Sequence, residues 1–407
     1  MSVLNGKKIL LGISGGIAAY KTASLVRLFI KAGAHVQVIM TPASKDFITP
    51  LTLSTLSKNP VFSSFYNQDE ENEKWNNHVE LALWADLMIV APATANTLSK
   101  MVNGTCDNLL LATYLSAKCP VYFAPAMDLD MYKHPSTIAN FARLYQFGNI
   151  IIPAESGELA SGLSGEGRMA EPETIIHFIE LDLNNKLPLK GKTILVTAGP
   201  TYEAIDPVRF IGNHSSGKMG FDIANSAANL GAQVVLISGP THCKVVNSSI
   251  QLVEVVTAEE MYEACHKFYP DVDVAIAAAA VADYKPKNVA LQKIKKAADS
   301  FVIELEKTKD ILASLGDQKK NQYLIGFALE TENEIENAKL KIKKKNLDLI
   351  VLNSLQDDGA GFGKSTNKVT FIDKDFNIEP MELKSKEAVA DDILNKIIAH
   401  FNILDRE

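Results

Sequence analysis

Hydrophobic and polar positions along the chain form blocks that predict strands and helices in turn. The apolar run KILLGI (8–13) predicts a buried strand, and a polar SGG turn follows it. Residues 17–33 have apolar positions at helical spacing and end at Gly33, a residue typical of helix C-termini. The run HVQVIM (35–40) predicts a second strand. This order predicts a βαβ unit with two parallel strands.

The same pattern begins again in the middle of the chain. TILVTAG (193–199) predicts a strand, GFDIANSAANLG (220–231) a helix, and QVVLIS (233–238) another strand. The chain is therefore predicted to be α/β, with two parallel-sheet domains of flavodoxin-like or Rossmann-like type in series. The polar segment NNKLPLKGK is interpreted as the linker between domains 1–189 and 190–407. The alternative is a loop within one larger sheet.

Composition limits the function classes without choosing among them. The 407 residues are 47% hydrophobic and 22% charged, and the net charge of −7 argues against nucleic acid as a main partner. The longest apolar run, VAIAAAAVA, is too short for a bilayer, and no signal peptide is predicted. The cysteines form no CxxC motif and are interpreted as reduced thiols of a cytoplasmic protein. They are Cys106, Cys119, Cys243 and Cys265.

The predicted strand ends of the first half carry small polar residues. Ligands of parallel α/β sheets bind at the carboxyl ends of strands, and helix N-termini there favour phosphate. Three such ends together favour a mononucleotide pocket, although the SGG turn alone is equally compatible with a turn that binds nothing. The residues concerned are Ser14, Gly15 and Gly16 after the first strand, Thr41 after the second, and Thr94, Asn96 and Thr97 after the third.

Two further segments could complete that pocket. The glycine-rich stretch 159–173 resembles a lid, with Gly165, Gly167, Arg168 and Met169, or else is a disordered surface loop. His78 precedes the third strand and is interpreted as either a structural or a catalytic histidine.

These motifs resemble the flavin-dependent cysteine decarboxylase family from Gly12 to about Glu171. The matching stretches are GISGGIAAYK, HVELALWADLMIVAPATANTLSKMVNGTCDNLL, PAMDLDMY and GEGRM. The resemblance implies FMN, held by the strand-end residues and Met127, and a peptide-like cysteine as substrate. It implies that the flavin first oxidises the cysteine side chain so that CO2 can leave, with His78 as the base.

Two positions depart from that family pattern. Asp128 stands where the family has an asparagine expected to hold the substrate carboxylate, so Asp128 must be protonated, turned away or replaced by another group. Ser161 stands where the family lid has a cysteine that helps to protonate the product. Either another donor such as water or Glu166 serves, or the final reduction is slow.

The second half contains a long polar loop after its first strand. Residues 198–220 include Asp206, Arg209, Asn213 and Lys218, a density of groups that suits a phosphate or carboxylate. A short-chain dehydrogenase would need a compact glycine-rich turn and a Tyr-x-x-x-Lys motif, which this half lacks.

Lysines are the second polar feature of this half. Lys341 and Lys345 are four residues apart and share one helix face. With Lys293 and Asp283 they could surround a nucleoside triphosphate and its Mg²⁺, although surface lysines are usually just solvated.

Five stretches of this half resemble phosphopantothenate–cysteine ligase: DPVRFIGNHSSGKMG, AAVADYKP, KIKK (293–296), GFALET and KKKNLDLIVLN. A decarboxylase fused ahead of that ligase resembles the bifunctional bacterial coenzyme A biosynthesis family. The resemblance implies ligation of cysteine to 4′-phosphopantothenate with CTP through an acyl cytidylate. It assigns Asn213 to the acyl-cytidylate steps and Lys293 to nucleotide activation. Gly212 and KTKD (307–310) are small departures from the family pattern. By the same matching, the nucleotide site contains Ala277, Ala278, Ala279, Asp283, Lys293, Lys309, Asp310, Ile311, Leu312, Phe327, Lys341 and Lys345.

Other interpretations remain open at this point. The departures at Asp128 and Ser161 also suit a flavoprotein regulatory or assembly subunit that has lost decarboxylation. A third interpretation, a generic NAD-linked reductase, is not supported, because the chain lacks the motifs of that class. The resemblance implies homo-oligomers: a trimer of the first half and a dimer of the second, which would close into a dodecamer. Preference for CTP over ATP depends on backbone contacts that residue identities do not reveal.

Overall fold

The computed structural model describes residues 2–66, 75–295, 302–330, 332–354 and 366–404. The fold divides into two compact units, Met1–Asn184 and Asn185–Glu407. Each unit is an α/β structure built on its own sheet, so the predicted class of two α/β domains in series is confirmed.

The first unit is built on a six-stranded sheet in the order β3-β2-β1-β4-β5-β6, and all neighbouring strands run parallel. This order places β1 in the middle, with the chain crossing to β2 on one side and to β4 on the other. Ligand sites in such sheets lie where the order reverses, at the carboxyl ends of β1 and its neighbours. The strands are β1 (Lys8–Ile13), β2 (His35–Met40), β3 (Val61–Phe62), β4 (Leu87–Ala93), β5 (Val121–Pro125) and β6 (Ile150–Ile151).

Helices cover both faces of this sheet. Because side chains alternate along a strand, Ile9 and Leu11 of β1 enter one apolar core while Leu10 enters the core on the opposite face. The predicted helix over 17–33 begins as a 3-10 turn at Ile17–Lys21 before its regular part. The helices are α1 (Thr22–Lys31), α2 (Pro50–Ser57), α3 (His78–Trp84), α4 (Ala95–Asn103), α5 (Leu109–Ser116), α6 (Leu129–Lys133), α7 (Pro135–Gln146) and α8 (Pro172–Asn185).

The glycine-rich stretch of the first unit is an ordered antiparallel hairpin. Its strands are β7 (Glu155–Glu158) and β8 (Ser164–Arg168), which pair across the turn that contains Ser161. Gly167 sits at φ 136°, a region that side-chain-bearing residues rarely adopt. A Cβ there would lie 2.4 Å from the Met127 carbonyl oxygen, so glycine lets the hairpin pack directly on the residues after β5.

The second unit repeats this plan with a larger sheet in the order β13-β12-β9-β14-β17-β18-β20-β21. The strands from β13 to β18 run parallel, as predicted, but β20 and β21 are antiparallel additions. A parallel neighbour needs a long crossover, whereas β20 and β21 are joined by a tight turn. The strands are β9 (Thr193–Ala198), β12 (Gln233–Ser238), β13 (Ile250–Glu254), β14 (Val274–Ala277), β17 (Tyr323–Glu330), β18 (Leu349–Ser354), β20 (Val369–Asp373) and β21 (Ile378–Pro380).

Helices and three short hairpins complete the second unit. Ile194 and Val196 of β9 enter one core and Leu195 the other, as in β1. Among the helices of the described ranges, none is long and apolar enough to cross a membrane. The helices are α9 (Lys218–Asn229), α10 (Ala258–Phe268), α11 (Ile311–Gln318), α12 (Glu334–Lys344) and α13 (Lys386–Leu404). The hairpins are β10 (Tyr202–Ala204) with β11 (Phe210–Gly212), β15 (Tyr284–Pro286) with β16 (Leu305–Lys307), and β19 (Thr366–Asn367) with β22 (Lys384–Ser385).

Candidate active sites

A cavity of about 530 Å³, here called the threonine cavity, lies at the strand ends of the first unit. Ser14 shapes its edge: the hydroxyl donates to the Pro92 carbonyl at 2.7 Å and accepts from the Thr94 N–H at 3.0 Å. These bonds tie the ends of β1 and β4 together. The predicted cofactor residues that line the cavity are Gly15, Thr41, Thr94, Asn96, Thr97 and Met127.

Three features of the threonine cavity suit a phosphate-bearing cofactor. The Thr41 hydroxyl is buried and has no hydrogen-bond partner among the described residues, although buried hydroxyls are normally paired. The first turn of α4 has no side-chain cap, so its N–H groups are free to donate hydrogen bonds to a ligand. A Cβ at Gly15 would lie 2.8 Å from the Ala43 Cβ, so only glycine keeps this wall open. The residues present therefore fit a mononucleotide such as FMN.

A second cavity of about 530 Å³, the hairpin cavity, lies against the β7–β8 hairpin. Ala126 and Met127 line both this cavity and the threonine cavity, so the two adjoin. Of the predicted lid residues, Met169 also belongs to the buried core. Among the residues predicted for the site, those that line the hairpin cavity are Gly16, Met127, Asp128, Ser161, Gly167, Arg168 and Met169.

The two residues that depart from the family pattern contact each other. The Ser161 hydroxyl at the hairpin turn donates to Oδ1 of Asp128 at 2.9 Å. The same oxygen accepts from the Leu129 N–H at 2.7 Å, because Asp128 is the N-cap of α6. Asp128 is therefore held in the cavity wall by its own helix and by the hairpin.

A buried ion pair that the sequence analysis did not identify supports the hairpin cavity. The Lys21 side chain is only 6% exposed, and its ammonium donates to Glu171 and to the Met169 carbonyl, each at 2.9 Å. Arg168 donates to the same Glu171 carboxylate at 2.5 Å. The hydrogen bond from Lys21 is the main cause that lowers the pKa of Glu171. The sequence did contain a signal for this ion pair, because Lys21 stands among apolar residues in the predicted helix.

His78 does not line either cavity of its own chain. It begins α3 and lies edge-on to the rings of Phe65 and Trp75. Its Nδ1 is buried without a hydrogen-bond partner among the described residues.

In the second unit, a cavity of about 510 Å³, the lysine cavity, lies beyond the ends of β14 and β17. It brings together segments that are far apart in the chain, from Ala277 to Lys345. The predicted nucleotide residues that line it are Ala277, Ala279, Asp283, Lys309, Asp310, Ile311, Leu312, Phe327 and Lys345. Ala278 lines the neighbouring serine cavity, while Lys293 and Lys341 do not line the lysine cavity.

Three lysines of this region are engaged in ion pairs, whereas Lys307, which also lines the lysine cavity, has no ion pair with a described residue. Lys345 pairs with Asp310 at 2.9 Å and Lys309 with Glu259 at 2.5 Å. Lys341 pairs with Glu330 at 2.5 Å. Burial opposes ionisation of Asp310, but hydrogen bonds from the Ala313 N–H and from Lys345 outweigh it, so the pKa of Asp310 lies below its usual range. An anionic ligand that binds the three paired lysines would have to exchange with these carboxylates.

The long polar loop is organised by Asp206. This carboxylate accepts the N–H groups of Val208, Arg209 and Ile294 and pairs with the Arg209 guanidinium at 2.5 Å. The Arg209 side chain is thus not simply a free anion-binding group. Since Ile294 follows Lys293, Asp206 anchors the exposed segment that carries this lysine. Lys296 of the same motif lies outside the described residues.

Asn213 ends the same loop beside the strand ends. Its amide Nδ2 donates to the Ala280 carbonyl at 2.9 Å and to the Val281 carbonyl at 3.2 Å. The side chain is thereby fixed next to a residue of the lysine cavity, because Val281 lines it.

A smaller cavity of about 170 Å³, the serine cavity, lies where α9 begins. It shares Ala279 and Phe327 with the lysine cavity. Lys386 lines it, is only 7% exposed, and has a pKa lowered by burial. Lys386 was not identified from the sequence, where it is one of several lysines in a polar stretch. The loop residues that line this cavity are Ser215, Ser216, Gly217 and Lys218.

Two protein families match adjacent parts of the chain. The family described as Flavoprotein matches residues 2–184. The family described as DNA/pantothenate metabolism flavoprotein C-terminal domain matches residues 189–401.

Curated relatives match both halves together. The chain is 53% identical to a cysteine/cysteine sulfinic acid decarboxylase of an unknown prokaryotic organism, over 86% of this chain and 99% of that protein. It is 44% identical to the coenzyme A biosynthesis bifunctional protein CoaBC of Bacillus subtilis, over 98% of each chain. It is 45% identical to the protein of the same name from Vibrio parahaemolyticus, over 98% of this chain and 99% of that one. The chain therefore belongs to the family of bifunctional coenzyme A biosynthesis proteins, in which a flavoprotein domain precedes a DNA/pantothenate metabolism flavoprotein C-terminal domain.

Proposed function

We propose that the chain catalyses two consecutive steps of coenzyme A biosynthesis. The second unit joins cysteine to 4′-phosphopantothenate with CTP, and the first unit removes CO2 from the product to give 4′-phosphopantetheine. The observation that carries this proposal is the match to bifunctional proteins over 98% of the chain. The cavities at the strand ends of both units support it, since each adjoins several of the residues implied by the sequence motifs.

For the first unit, we propose FMN as the cofactor. Bound FMN supplies a reversible two-electron acceptor beside the cysteine side chain. The N–H groups at the start of α4 and the Thr41 hydroxyl would hold its polar groups, and Gly15 leaves room for them. The hairpin cavity would hold the cysteine substrate, with Asp128, Ser161 and Arg168 around it.

His78 is proposed as the base that takes a proton from the substrate. Since it lines neither cavity of its own chain, its proposed role requires a neighbouring copy of the chain to bring a substrate to it. This agrees with a homo-oligomer whose first units meet at their cofactor sites.

For the second unit, the proposed ligation has two steps. A carboxylate oxygen of 4′-phosphopantothenate bonds to the α-phosphorus of CTP, and pyrophosphate leaves with the electrons of the broken P–O bond. The cysteine nitrogen then bonds to the acyl carbon, CMP leaves and the nitrogen loses a proton. Asn213 is proposed to stabilise the oxyanion of the second step, for which its Nδ2 must exchange one of its two carbonyl acceptors for the substrate. Lys293 is proposed to stabilise the phosphates of the first step. Mg²⁺ would accompany CTP near Asp283.

A second candidate function concerns the first unit alone: decarboxylation of free cysteine. The relative with 53% identity is named for that substrate class. The specific observation in its favour is Asp128, a carboxylate in the cavity wall where an amide is expected to bind a substrate carboxylate.

One assay on the full-length protein tests these proposals. The visible spectrum reports bound flavin, and 4′-phosphopantothenate, cysteine, Mg²⁺ and CTP or ATP are then added while pyrophosphate and CO2 are measured separately. Release of both, with CTP preferred, is the expected result. Pyrophosphate without CO2 would leave a ligase with a flavin-binding partner domain. CO2 from cysteine alone, before 4′-phosphopantothenate is added, would favour the second candidate, and no pyrophosphate with either nucleotide would overturn the ligase proposal.

A further inference from the structure

The hairpin cavity combines one fixed carboxylate with basic side chains. Asp128 lines it together with Lys21 and Arg168. Glu158 also lines it, but its side chain is exposed and no described residue holds it in place. We propose that Asp128 is the specificity-determining residue of this cavity, and that its carboxylate binds the α-ammonium group of a free amino-acid substrate. This inference rests on the second candidate function, decarboxylation of free cysteine by the first unit, and names the residue that would select that substrate.

Asp128 has one oxygen available for a ligand. Its Oδ1 is occupied by the Leu129 N–H at 2.7 Å and the Ser161 hydroxyl at 2.9 Å. No described residue donates a hydrogen bond to its Oδ2. Because Oδ1 is held from two sides, the carboxylate is oriented before a substrate arrives, and Oδ2 can accept from an ammonium group without reorganisation.

The two basic side chains of the cavity differ in how many of their hydrogen-bond donors are already in use. Lys21 is buried and donates to both Glu171 and the Met169 carbonyl. Arg168 is 41% exposed and uses Nη2 for Glu171, while its other N–H groups have no partner among the described residues. The guanidinium therefore keeps donors for a substrate carboxylate. A carboxylate and a guanidinium on one cavity match the two charges of a free amino acid.

An amide-linked cysteine uses this arrangement less well. Its nitrogen is neutral and carries a single hydrogen, so it gains no charge attraction from Asp128. Its carboxylate is repelled by an ionised Asp128 in the same way as that of free cysteine, but with no ammonium to compensate. An asparagine at position 128 would remove both the repulsion and the attraction, because its amide is neutral. Its Oδ1 can still accept the Leu129 N–H, so the helix cap would be kept.

The test compares cysteine with N-acetylcysteine, which keeps the thiol and the carboxylate but lacks the ammonium group. CO2 release by the full-length flavin-bound protein gives kcat/KM for each. The wild type is expected to prefer cysteine, and Asp128→Asn is expected to lower the cysteine to N-acetylcysteine ratio by about 10- to 100-fold, the worth of one hydrogen bond to a charged group. Asp130→Asn is the matched control, because Asp130 is exposed on the same helix and should leave the ratio unchanged.

A binding measurement separates this inference from the decarboxylase proposal. Calorimetric titration with S-methylcysteine and with N-acetyl-S-methylcysteine reports recognition without turnover. An Asp128-dependent preference for S-methylcysteine in a protein that releases no CO2 would support the inference and overturn the decarboxylase proposal. Decarboxylation of 4′-phosphopantothenoylcysteine with a substrate ratio that Asp128→Asn leaves unchanged would overturn the inference and leave that proposal standing.

Discussion

The two units start with the same strand–helix–strand pattern, but they connect β1 to the following helix and β9 to α9 in different ways. In the first unit, a short turn with Gly15 brings backbone close to the opposite wall of the cavity. In the second unit, a long loop intervenes, and its conformation is held by Asp206, Arg209 and Asn213. The comparison shows that one topology can form a site either through the absence of side chains or through a network of them.

The polar groups of the two cavities also differ in whether they already have a partner within the protein. The threonine cavity contains a buried hydroxyl, Thr41, that lacks a partner among the described residues. In the lysine cavity, Lys309 and Lys345 already have carboxylate partners. A ligand of the threonine cavity can therefore hydrogen-bond to the unpaired Thr41 hydroxyl. A ligand that binds Lys309 or Lys345 must instead displace the carboxylate that each lysine already pairs with. Binding in the second unit should accordingly depend more strongly on salt.

The largest effect is expected from Gly15→Ala, which tests whether backbone proximity forms the first site. Its Cβ would lie 2.8 Å from the Ala43 Cβ and 3.0 Å from Ala43 backbone atoms, neither of which can move away easily. Loss of flavin absorbance and a drop of about 100-fold in CO2 release are expected, since small misplacements at a reaction site cost that much. Pyrophosphate release should be unaffected.

Gly16→Ala provides the comparison for this variant. A Cβ there would approach only the Thr94 Cγ2, at 3.3 Å, so a smaller loss is expected. Equal flavin occupancy in Gly15→Ala and wild type would contradict the proposed role of this turn.

The next largest effect is expected from Asp206→Asn, which tests whether a side-chain network forms the second site. The hydrogen bond from Arg209 is the main cause that holds the pKa of Asp206 well below its usual range, so the carboxylate is ionised at neutral pH. An amide weakens the anchor of the segment that carries Lys293, and pyrophosphate release should fall about tenfold. CO2 release from supplied 4′-phosphopantothenoylcysteine, which bypasses the second unit, should be unchanged. Asp317→Asn, an exposed control on α11, should have no effect, and an equal loss in both variants would contradict the proposal.

The sequence was sufficient to predict features that depend on local pattern. Short apolar runs and helical spacing predicted β1, α1 and β2, because these signals come from neighbouring residues. Strand ends indicated the threonine cavity for a similar reason: the topology fixes where parallel strands end.

Features that depend on distant partners were not predicted. Lys21 and Glu171 form their ion pair across 150 positions, and Lys309 and Glu259 across 50. No periodicity connects such residues, so the carboxylate partners of these lysines could not be identified from the sequence. The β7–β8 hairpin was missed as regular structure because its glycines suggest a loop, while its pairing depends on packing against Met127.

A smaller effect is expected from Ser161→Cys, which tests the chemistry of the hairpin tip. A thiol with an ordinary pKa of about 8.5 is a far better proton donor than an alcohol, so a several-fold faster release of reduced product is expected if the last protonation is slow. Ser161→Ala removes the hydroxyl and its hydrogen bond to Asp128, offers no proton and serves as the control. Product release from Ser161→Cys no faster than from Ser161→Ala would show that another donor acts.

The smallest effect is expected from Glu171→Gln, which tests whether the hairpin cavity depends on its ion pair for stability. The pKa of Glu171 is lower in the folded protein than in the unfolded chain, so its contribution is present above the ordinary carboxyl pKa of about 4.3 and is lost as pH falls below it. Since its side chain is 37% exposed, solvent screens the pair, and a contribution of no more than about 1 kcal/mol is expected at pH 7.

Tryptophan fluorescence can measure this loss in the first unit alone, because the chain's tryptophans, Trp75 and Trp84, both lie there. In urea unfolding at a series of pH values, the difference between wild type and Glu171→Gln should be greatest near pH 7 and should shrink as pH falls below the ordinary carboxyl pKa. It should disappear once pH is below the lowered pKa of the folded carboxyl, where the wild-type group is protonated as well. Asp46→Asn, an exposed change in the same unit at a carboxylate with no partner among the described residues, should follow the wild type throughout. A difference that persists unchanged into acid would mean that Glu171 stabilises the unit by packing, and that charge pairing organises the second site but not the first.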